Sequence, residues 1–401
     1  MKTRKELTKT IARRYIKAGR QGKSTILTEF CLSTGFNRDY AATLLRSTGK
    51  TTIPVTRQRP PNKVRSGRPP IYDDSTIRII KLLWKQFDKL CAKRFAVLLR
   101  TVLPRLRNDK FLAISPTQFT KLNIISAATI NRHLAASRKE DKLHGTCYTR
   151  ASDGLKESIP VRTFGEWHGV PPGHCQIDTV GHDGGVLSSD CAFSLCLTDV
   201  CSGWTERYAM QNRAFKWVNQ GLDVIQASMP FPLVHLHPDN GSEFINHGLV
   251  AWCTKQQPAV ELSRSRAGKK NDNCYIEQKN FDTIRKLVGY ARYSSQEMLE
   301  TLNELYRVHG LLLNYFYPSQ KLITKTRIGS KIKKTYDEPK SAADRLLAHP
   351  AIPDEVKRIV RTKRRALDPL ALSREVDVLT ERLLKMLVEQ SASVLQQSRK
   401  L

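Results

Sequence analysis

No apolar run in this 401-residue chain is long enough to cross a bilayer, no two cysteines form a Cys-x2-Cys pair, and acids are scarce beside bases, 37 Asp plus Glu against 67 Lys plus Arg. The first absence argues against a helical membrane protein. The second, with no His pair at finger spacing nearby, argues against a zinc module. The nine cysteines, Cys31, Cys91, Cys147, Cys175, Cys191, Cys196, Cys201, Cys253 and Cys274, are scattered, several in apolar segments, and read as reduced core residues without disulfides. The N-terminal Met1-Lys-Thr-Arg-Lys-Glu leads into an amphipathic segment rather than an apolar one, so the expectation is a soluble, cytoplasmic protein.

The shortage of acid is uneven. Residues 1–150 carry a net charge of +24, residues 151–315 a net −3 and residues 316–401 a net +9, together the +30 of the whole chain. Basic flanks around a slightly acidic centre suit a protein that grips a polyanion at its edges and keeps carboxylates in the middle. A length of 401 residues with 40% hydrophobic content is enough for several cored domains.

The central carboxylates carry the chemistry. Asp178 lies in Gly173-His-Cys-Gln-Ile-Asp178-Thr-Val, which reads as a strand. Asp239 closes the apolar run Leu233-Val-His-Leu-His-Pro-Asp239, and Glu277 falls in the first turns of a helix in Asn273-Cys-Tyr-Ile-Glu277-Gln-Lys. Sixty residues separate the first pair and 37 the second. Short aspartates on strands and a longer glutamate on a helix suit a phosphoryl-transfer site, because two hard cations roughly 3.5–4 Å apart can serve the attacking and leaving oxygens of a phosphodiester. Mg²⁺ takes oxygen ligands and leaves room for substrate phosphate. Glu243 and Asp272 compete for the ligand role, and each reads rather as a helix-entry or surface charge.

These stretches resemble a known family. Gln176-Ile-Asp178-Thr-Val, Asp239-Asn-Gly-Ser-Glu-Phe-Ile-Asn246 and Lys270-Asn-Asp-Asn-Cys-Tyr-Ile-Glu277-Gln-Lys-Asn280 look like the three signatures of the retroviral-integrase-type DDE transposases of bacterial insertion sequences, which have an RNase H-like core. The likeness is most specific over residues 164–315. The second spacing is slightly longer than is usual in retroviral integrases, a loop-length difference. The resemblance implies that Asp178, Asp239 and Glu277 are the catalytic, metal-binding triad, holding two Mg²⁺ ions that Mn²⁺ can replace. It also implies double-stranded DNA as partner, both element ends and target, a homo-multimer on that DNA, and a cytoplasmic, nucleoid-associated bacterial setting.

The expected organisation is multidomain: helical helix-turn-helix modules, an α/β RNase H-like core with a five-stranded mixed sheet, and a mostly helical C-terminal segment. Residues 1–50 form a first helix-turn-helix module. Leu7, Ile11, Tyr15 and Ala18 mark its first helix, Ser24 or Thr25 caps the second, Gly35 ends it, and Asn37 caps a third that presents Arg38, Asp39, Thr43 and Arg46. Residues 51–71 form a proline-rich basic linker with Arg57, Arg59, Lys63, Arg65 and Arg68. Residues 72–150 form a second helical DNA-binding module whose last helix, Ala127–Ala135, offers Thr129, Asn131, Arg132 and Arg138.

In the core, strands are expected at Cys175–Val180, Phe193–Thr198, Thr205–Met210, Leu233–Leu236 and Val260–Ser263, with helices near Phe215–Met229 and Ile245–Gln256. Asp199 reads as a turn carboxylate. Lys269, Lys270, Lys279 and Arg285, near the third carboxylate, are candidates to hold DNA phosphate. The stretch from Tyr317 to Pro339, with Lys321, Lys325, Arg327, Lys331, Lys333 and Lys334, reads as a connector that either tracks DNA or is a solvated linker. Farther on, Leu372, Val376, Leu379, Leu383 and Met386 recur in steps of four and three, a seam that fits either the chain's own domain or a second copy. Two rivals to transposition stay open on sequence alone: a sequence-specific DNA-binding regulator derived from a transposase, and a metal-dependent nuclease that joins no strands.

Overall fold

A computed structural model describes residues 2–48, 71–106, 109, 112–140, 159–162, 164–167, 169–185, 191–266, 270–328 and 331–398. The expected linker 51–71 therefore lies outside the described residues apart from Ile71, and so do Lys269 and Cys147. The chain divides into two compact units, Met1–Pro69 and Pro70–Leu401.

The first unit is three helices, α1 (Lys2–Lys17), α2 (Arg20–Thr34) and α3 (Arg38–Thr48), closed on a small core of Ala12, Tyr15, Ile26, Leu27, Phe30, Ala41, Ala42 and Leu45. Gly35 ends α2 as expected: it adopts φ 70°, which a residue with a Cβ resists, and its N–H donates to the Cys31 carbonyl. Helix α2 begins at Arg20 behind Gly19, so neither Ser24 nor Thr25 caps it. Asn37 Oδ1 accepts the Asp39 N–H at 2.9 Å and so caps α3.

The second unit opens with α4 (Asp74–Gln86), α5 (Ala92–Leu106), α6 (Pro116–Ile124), α7 (Ala127–His133) and α8 (Ala135–Glu140). Asp73 caps α4, Ser115 and Gln118 form a reciprocal capping box at α6, and Ser126 caps α7. The sheet follows: β1 (His174–Gly181), β2 (Phe193–Asp199), β3 (Thr205–Met210), α9 (Phe215–Ser228), β4 (His235–Pro238), α10 (His247–Lys255) and β5 (Glu261–Leu262). Its order is β3-β2-β1-β4-β5, with β2 antiparallel to β1 and β3, and with β4 parallel to β1 and to β5. This is the five-stranded mixed sheet expected from the sequence.

Then come α11 (Cys274–Asn280), a π-helical turn over Phe281–Arg285, α12 (Lys286–Val288) and α13 (Gln296–Tyr315). Next are β6 (Leu322–Ile328), β7 (Lys331–Tyr336), α14 (Ala342–Ala348), α15 (Asp354–Ala366) and α16 (Pro369–Ser398). Helices cover both faces of the sheet. Gly221 lets α9 approach one face closely: a Cβ there would stand 2.9 Å from Leu195 Cδ2 and 3.0 Å from Tyr208 Cδ1. On the other face Ser194 and Arg207 hydrogen-bond Tyr306 of α13.

One expectation changes and one open alternative is decided. The connector from Tyr317 to Pro339 contains an antiparallel hairpin, β6–β7, paired from Leu322↔Tyr336 to Ile328↔Lys331. The seam on α16 is used inside the chain: Leu372, Val376, Leu379 and Leu383 are all at least 92% covered, within the same apolar cluster as α4, α5 and α13. That cluster is continuous from Ile79 through the sheet to Leu383, so the block after residue 71 and the sheet share one core.

Candidate active site

The site is built on the middle strand. The two-residue period of β1 puts Gln176 and Asp178 on the same face, the face where Asp178 pairs with Cys196 and Cys196 pairs with Arg207. Gln176 is wholly buried and grips α11 from below. Its Oε1 accepts the N–H groups of Tyr275 (3.1 Å) and Ile276 (3.2 Å), two donors of the first turn that the helix itself leaves unused, and its Nε2 donates to the Asp272 carbonyl at 2.8 Å. Helix α11, which carries Glu277, is thereby fixed to the strand that carries Asp178. Asn280, one turn beyond Glu277, closes the arrangement by donating from Nδ2 to Asp178 Oδ2 at 2.6 Å.

Asp239 arrives by register. Strand β4 runs parallel beside β1 with Ile177 opposite Pro238, so Asp178 follows next on β1 and Asp239 follows directly after β4. After Asp239 the chain makes a single helical turn, in which Ile245 N–H donates to the Gly241 carbonyl, and this turn brings Glu243 back to the site. Glu243 Oε1 accepts from Thr179 Oγ1 at 2.9 Å and lies 3.4 Å from Arg213 Nη1. A Cβ on Gly241 would stand 2.7 Å from Glu243 Oε2 and 2.9 Å from Asp239 Oδ1, so both carboxylates border one small space that only glycine leaves open.

Four carboxylates therefore act on one another. The Asp178 carboxyl is pushed up to about 8, first by burial and then by the charge of Asp239, with Glu243 and Glu277 adding to it, against the Thr179 N–H that holds it down. Burial also raises Asp239, with Glu243 adding repulsion and the Gly241 N–H opposing it. Such a cluster is relieved by a proton or a cation. Its donors are hard carboxylate oxygens, and the buried Asn280 Oδ1 beside them has no hydrogen-bond partner, so the set suits a hard divalent ion. Among the described residues, no three His, Cys, Asp or Glu side chains already stand at ligand spacing around one point.

Glu243 corrects the sequence reading, which made it a helix-entry or surface charge: its side chain is 8% exposed and faces the cluster. The spacing of four from Asp239 was the available signal, since one helical turn returns a side chain to the same side. Asp272 is no surface charge either. It is fully covered, and Arg266 clamps it from Nε at 2.8 Å and Nη2 at 2.9 Å, which makes it a structural ion pair at the entry to α11. Asp199 is the expected turn carboxylate, accepting from Ser202 N–H, Ser202 Oγ and Gly173 N–H.

The basic candidates fall into groups. Lys279 Nζ donates to the Gly203 carbonyl at 3.1 Å, and Arg285 Nη2 donates to the Gly181 carbonyl at 2.9 Å, so both tie the α11 region to the sheet. Of Lys270 only the backbone is described, and Arg57, Arg59, Arg65 and Arg68 lie outside the described residues. On α3, Arg46 is exposed, while the guanidinium of Arg38 bonds Thr28 Oγ1 and Ser24 Oγ of α2 at 2.8 and 2.9 Å. On the α7–α8 stretch, Arg132 is exposed and reaches Thr129 Oγ1, and Arg138 bonds Asn131 Oδ1. Among the described cysteines every thiol is free, and Cys91 is exposed rather than in the core.

No family model matches the chain. A solved structure that it resembles is the catalytic core domain of BIV integrase, at 18% identity and a TM-score of 0.27, covering 39% of this chain and 88% of that one. Over 339 residues the chain is 37% identical to "Uncharacterized protein y4rM" of Sinorhizobium fredii (strain NBRC 101917 / NGR234), covering 84% of this chain and 93% of that protein. The chain belongs to the family of that rhizobial protein.

Proposed function

We propose that this protein is a DNA transposase that cleaves and joins phosphodiesters at the Asp178, Asp239 and Glu277 site. The observation that carries the reading is the joint fixing of the three by the fold: Asp178 on β1, Asp239 directly after the neighbouring strand β4, and a helix bearing Glu277 that Gln176 and Asn280 fasten to β1. A purely structural role gives no reason to bury a carboxylate among three others.

Asp178, Asp239 and Glu277 would hold the divalent ions, two Mg²⁺ or their Mn²⁺ substitutes, with Glu243 as a fourth carboxylate of the cluster. Bound there, the ions would supply Lewis-acid stabilisation of the attacking and leaving oxygens of the phosphodiester. The chain's own part is to fix the donors before substrate arrives. Asn280 holds Asp178 by one oxygen, Gly241 leaves room for the carboxylates of Asp239 and Glu243, and Gln176 prevents α11 from sliding along β1. No side-chain nucleophile is needed, because water would attack in the first step, releasing the element's 3′-hydroxyl, and that hydroxyl would attack a target phosphodiester in the second, displacing the target strand's own 3′-oxygen. The three-helix unit of residues 1–50 would recognise the element end through the exposed side of α3, and α7 would serve a second contact.

The test is to incubate the full chain with the DNA that flanks its own gene, with and without Mg²⁺, and to map every cut and joined strand. Transposition predicts metal-dependent nicks at two defined ends and joined products. Nicks without joining support the nuclease reading, and binding without nicks the regulator.

A further inference from the structure

The β6–β7 hairpin is a two-stranded ribbon with water on both sides. Residues 322–327 and 332–336 are all exposed, including Ile323, Ile332 and Tyr336 at 60%, 54% and 46%. A lone two-stranded hairpin is marginal in water, and this one has a further handicap. Lys325 stands directly opposite Lys334, and Arg327 on the same face opposite Ile332, while Lys333 occupies the other face opposite Thr326. Like charges paired across strands destabilise a ribbon. From Leu322 to Tyr336 the sequence contains five Lys and Arg and no Asp or Glu. Among the described residues of this unit, no neighbouring element covers either face, so the charge pattern marks what does.

The root of the ribbon is as firm as its length is bare. Lys321 N–H donates to Asp337 Oδ1 at 2.6 Å, Asp337 N–H donates back to the Lys321 carbonyl, and Arg345 pairs with Asp337 Oδ2 at 2.6 Å. Lys321 Nζ reaches the Val200 and Cys201 carbonyls at the end of β2. Lys279 of α11 donates to Gly203 in that same turn, so the ribbon and the helix bearing Glu277 are anchored at one place.

We propose that the β6–β7 ribbon, rooted at the turn after β2, is an arm that grips duplex DNA, Lys325, Lys333 and Lys334 meeting backbone phosphates. This rests on the reading of the protein as a DNA-processing enzyme and adds which surface holds the duplex. Seven residues of strand extend about 24 Å, and a major groove about 12 Å wide admits a two-stranded ribbon. Phosphates on the two sides of a groove would relieve the Lys325–Lys334 repulsion, and the exposed Ile323, Ile332 and Tyr336 would supply apolar contact with sugars and base edges.

The test uses the full chain in EDTA, so that binding is read without catalysis. Fluorescence anisotropy measures the affinity for a random-sequence duplex, and for a single strand of the same length, across a salt series. The variants are Lys325→Gln/Lys333→Gln/Lys334→Gln and a control triple on exposed lysines elsewhere, Lys85→Gln/Lys255→Gln/Lys385→Gln, with circular dichroism confirming that both stay folded. The ribbon triple should flatten the duplex salt slope by about 2–3 and weaken binding on the order of 100-fold at 0.1 M salt, with the control near wild type. A ribbon slope equal to the control's overturns the proposal, and so does an equal loss on single strands, which would mean diffuse charge rather than a grip on duplex. The catalytic reading fails separately: it falls if Asp178→Asn cleaves as wild type does, whatever the ribbon binds.

Discussion

Gln176 and Asp178 stand two residues apart on one strand, and the separation lets one side chain fix a helix while the other receives that helix's Asn280. Both helpers are positioning residues. Gln176→Ala and Asn280→Ala should each lower metal-dependent cleavage by roughly 10–100-fold, the usual cost of removing a group that orients a metal ligand. The half-saturating Mg²⁺ concentration should rise while DNA affinity in EDTA stays unchanged. A variant whose cleavage and Mg²⁺ dependence both match wild type would remove that residue from the arrangement.

Two buried histidines make a separate prediction. Burial depresses His182 to about 3, with Arg285 adding to the effect, and depresses His235 to about 3, with Arg162 adding to it. A base whose folded value lies below its unfolded 6.5 keeps its full stability above pH 6.5 and loses it as pH falls towards 3. At pH 5 each should cost about 2 kcal/mol, 1.5 pH units at about 1.4 kcal/mol per unit. Urea unfolding at pH 7.5 and pH 5 checks this, and His182→Gln should narrow the gap between the two curves. Equal stability at both pH values would contradict the buried, neutral state of these rings.

At the scale of elements, α16 is a wall of the core rather than a seam for a second copy. Leu383, 2% exposed, should cost about 2–5 kcal/mol on truncation to alanine, and sedimentation of the folded variant should be unchanged. A change of oligomeric state without loss of stability would restore the seam to assembly. The contrast between α16 and the ribbon shows what the sequence could reveal. Heptad spacing makes an apolar stripe legible but does not name the surface that meets it. That surface is on α13 and, hundreds of residues away along the chain, on α4 and α5, with Ser373 Oγ donating to the Gln86 carbonyl. The sheet strands were legible because each alternates or runs apolar against a core. Strands β6 and β7 were not, since exposure on both faces leaves a mixture of Lys, Thr and Ile with no period to detect. The strand, strand-end and helix contexts of Asp178, Asp239 and Glu277 were legible, whereas the place of Glu243 beside them was hidden by a turn that reads as a helix entry and that of Asn280 by its position inside a motif.

At the scale of the molecule, the two units differ in independence. Residues 1–69 close on their own eight-residue core, whereas the apolar residues of α4–α7 belong to the cluster that runs through the sheet to α16. The fragment 1–69 should therefore melt cooperatively by itself, and a fragment 70–150 should not; calorimetry on both decides it. A cooperative transition in the second fragment would make residues 72–150 the separable module expected from sequence.

The most direct test of the central claim is a strand-cleavage and joining assay on element-end DNA with Mg²⁺, run beside a binding assay in EDTA, for wild type, Asp178→Asn, Asp239→Asn and Glu277→Gln. The account predicts that each substitution abolishes cutting and joining and leaves binding near wild type. Any one of the three that cuts and joins at the wild-type rate would contradict it.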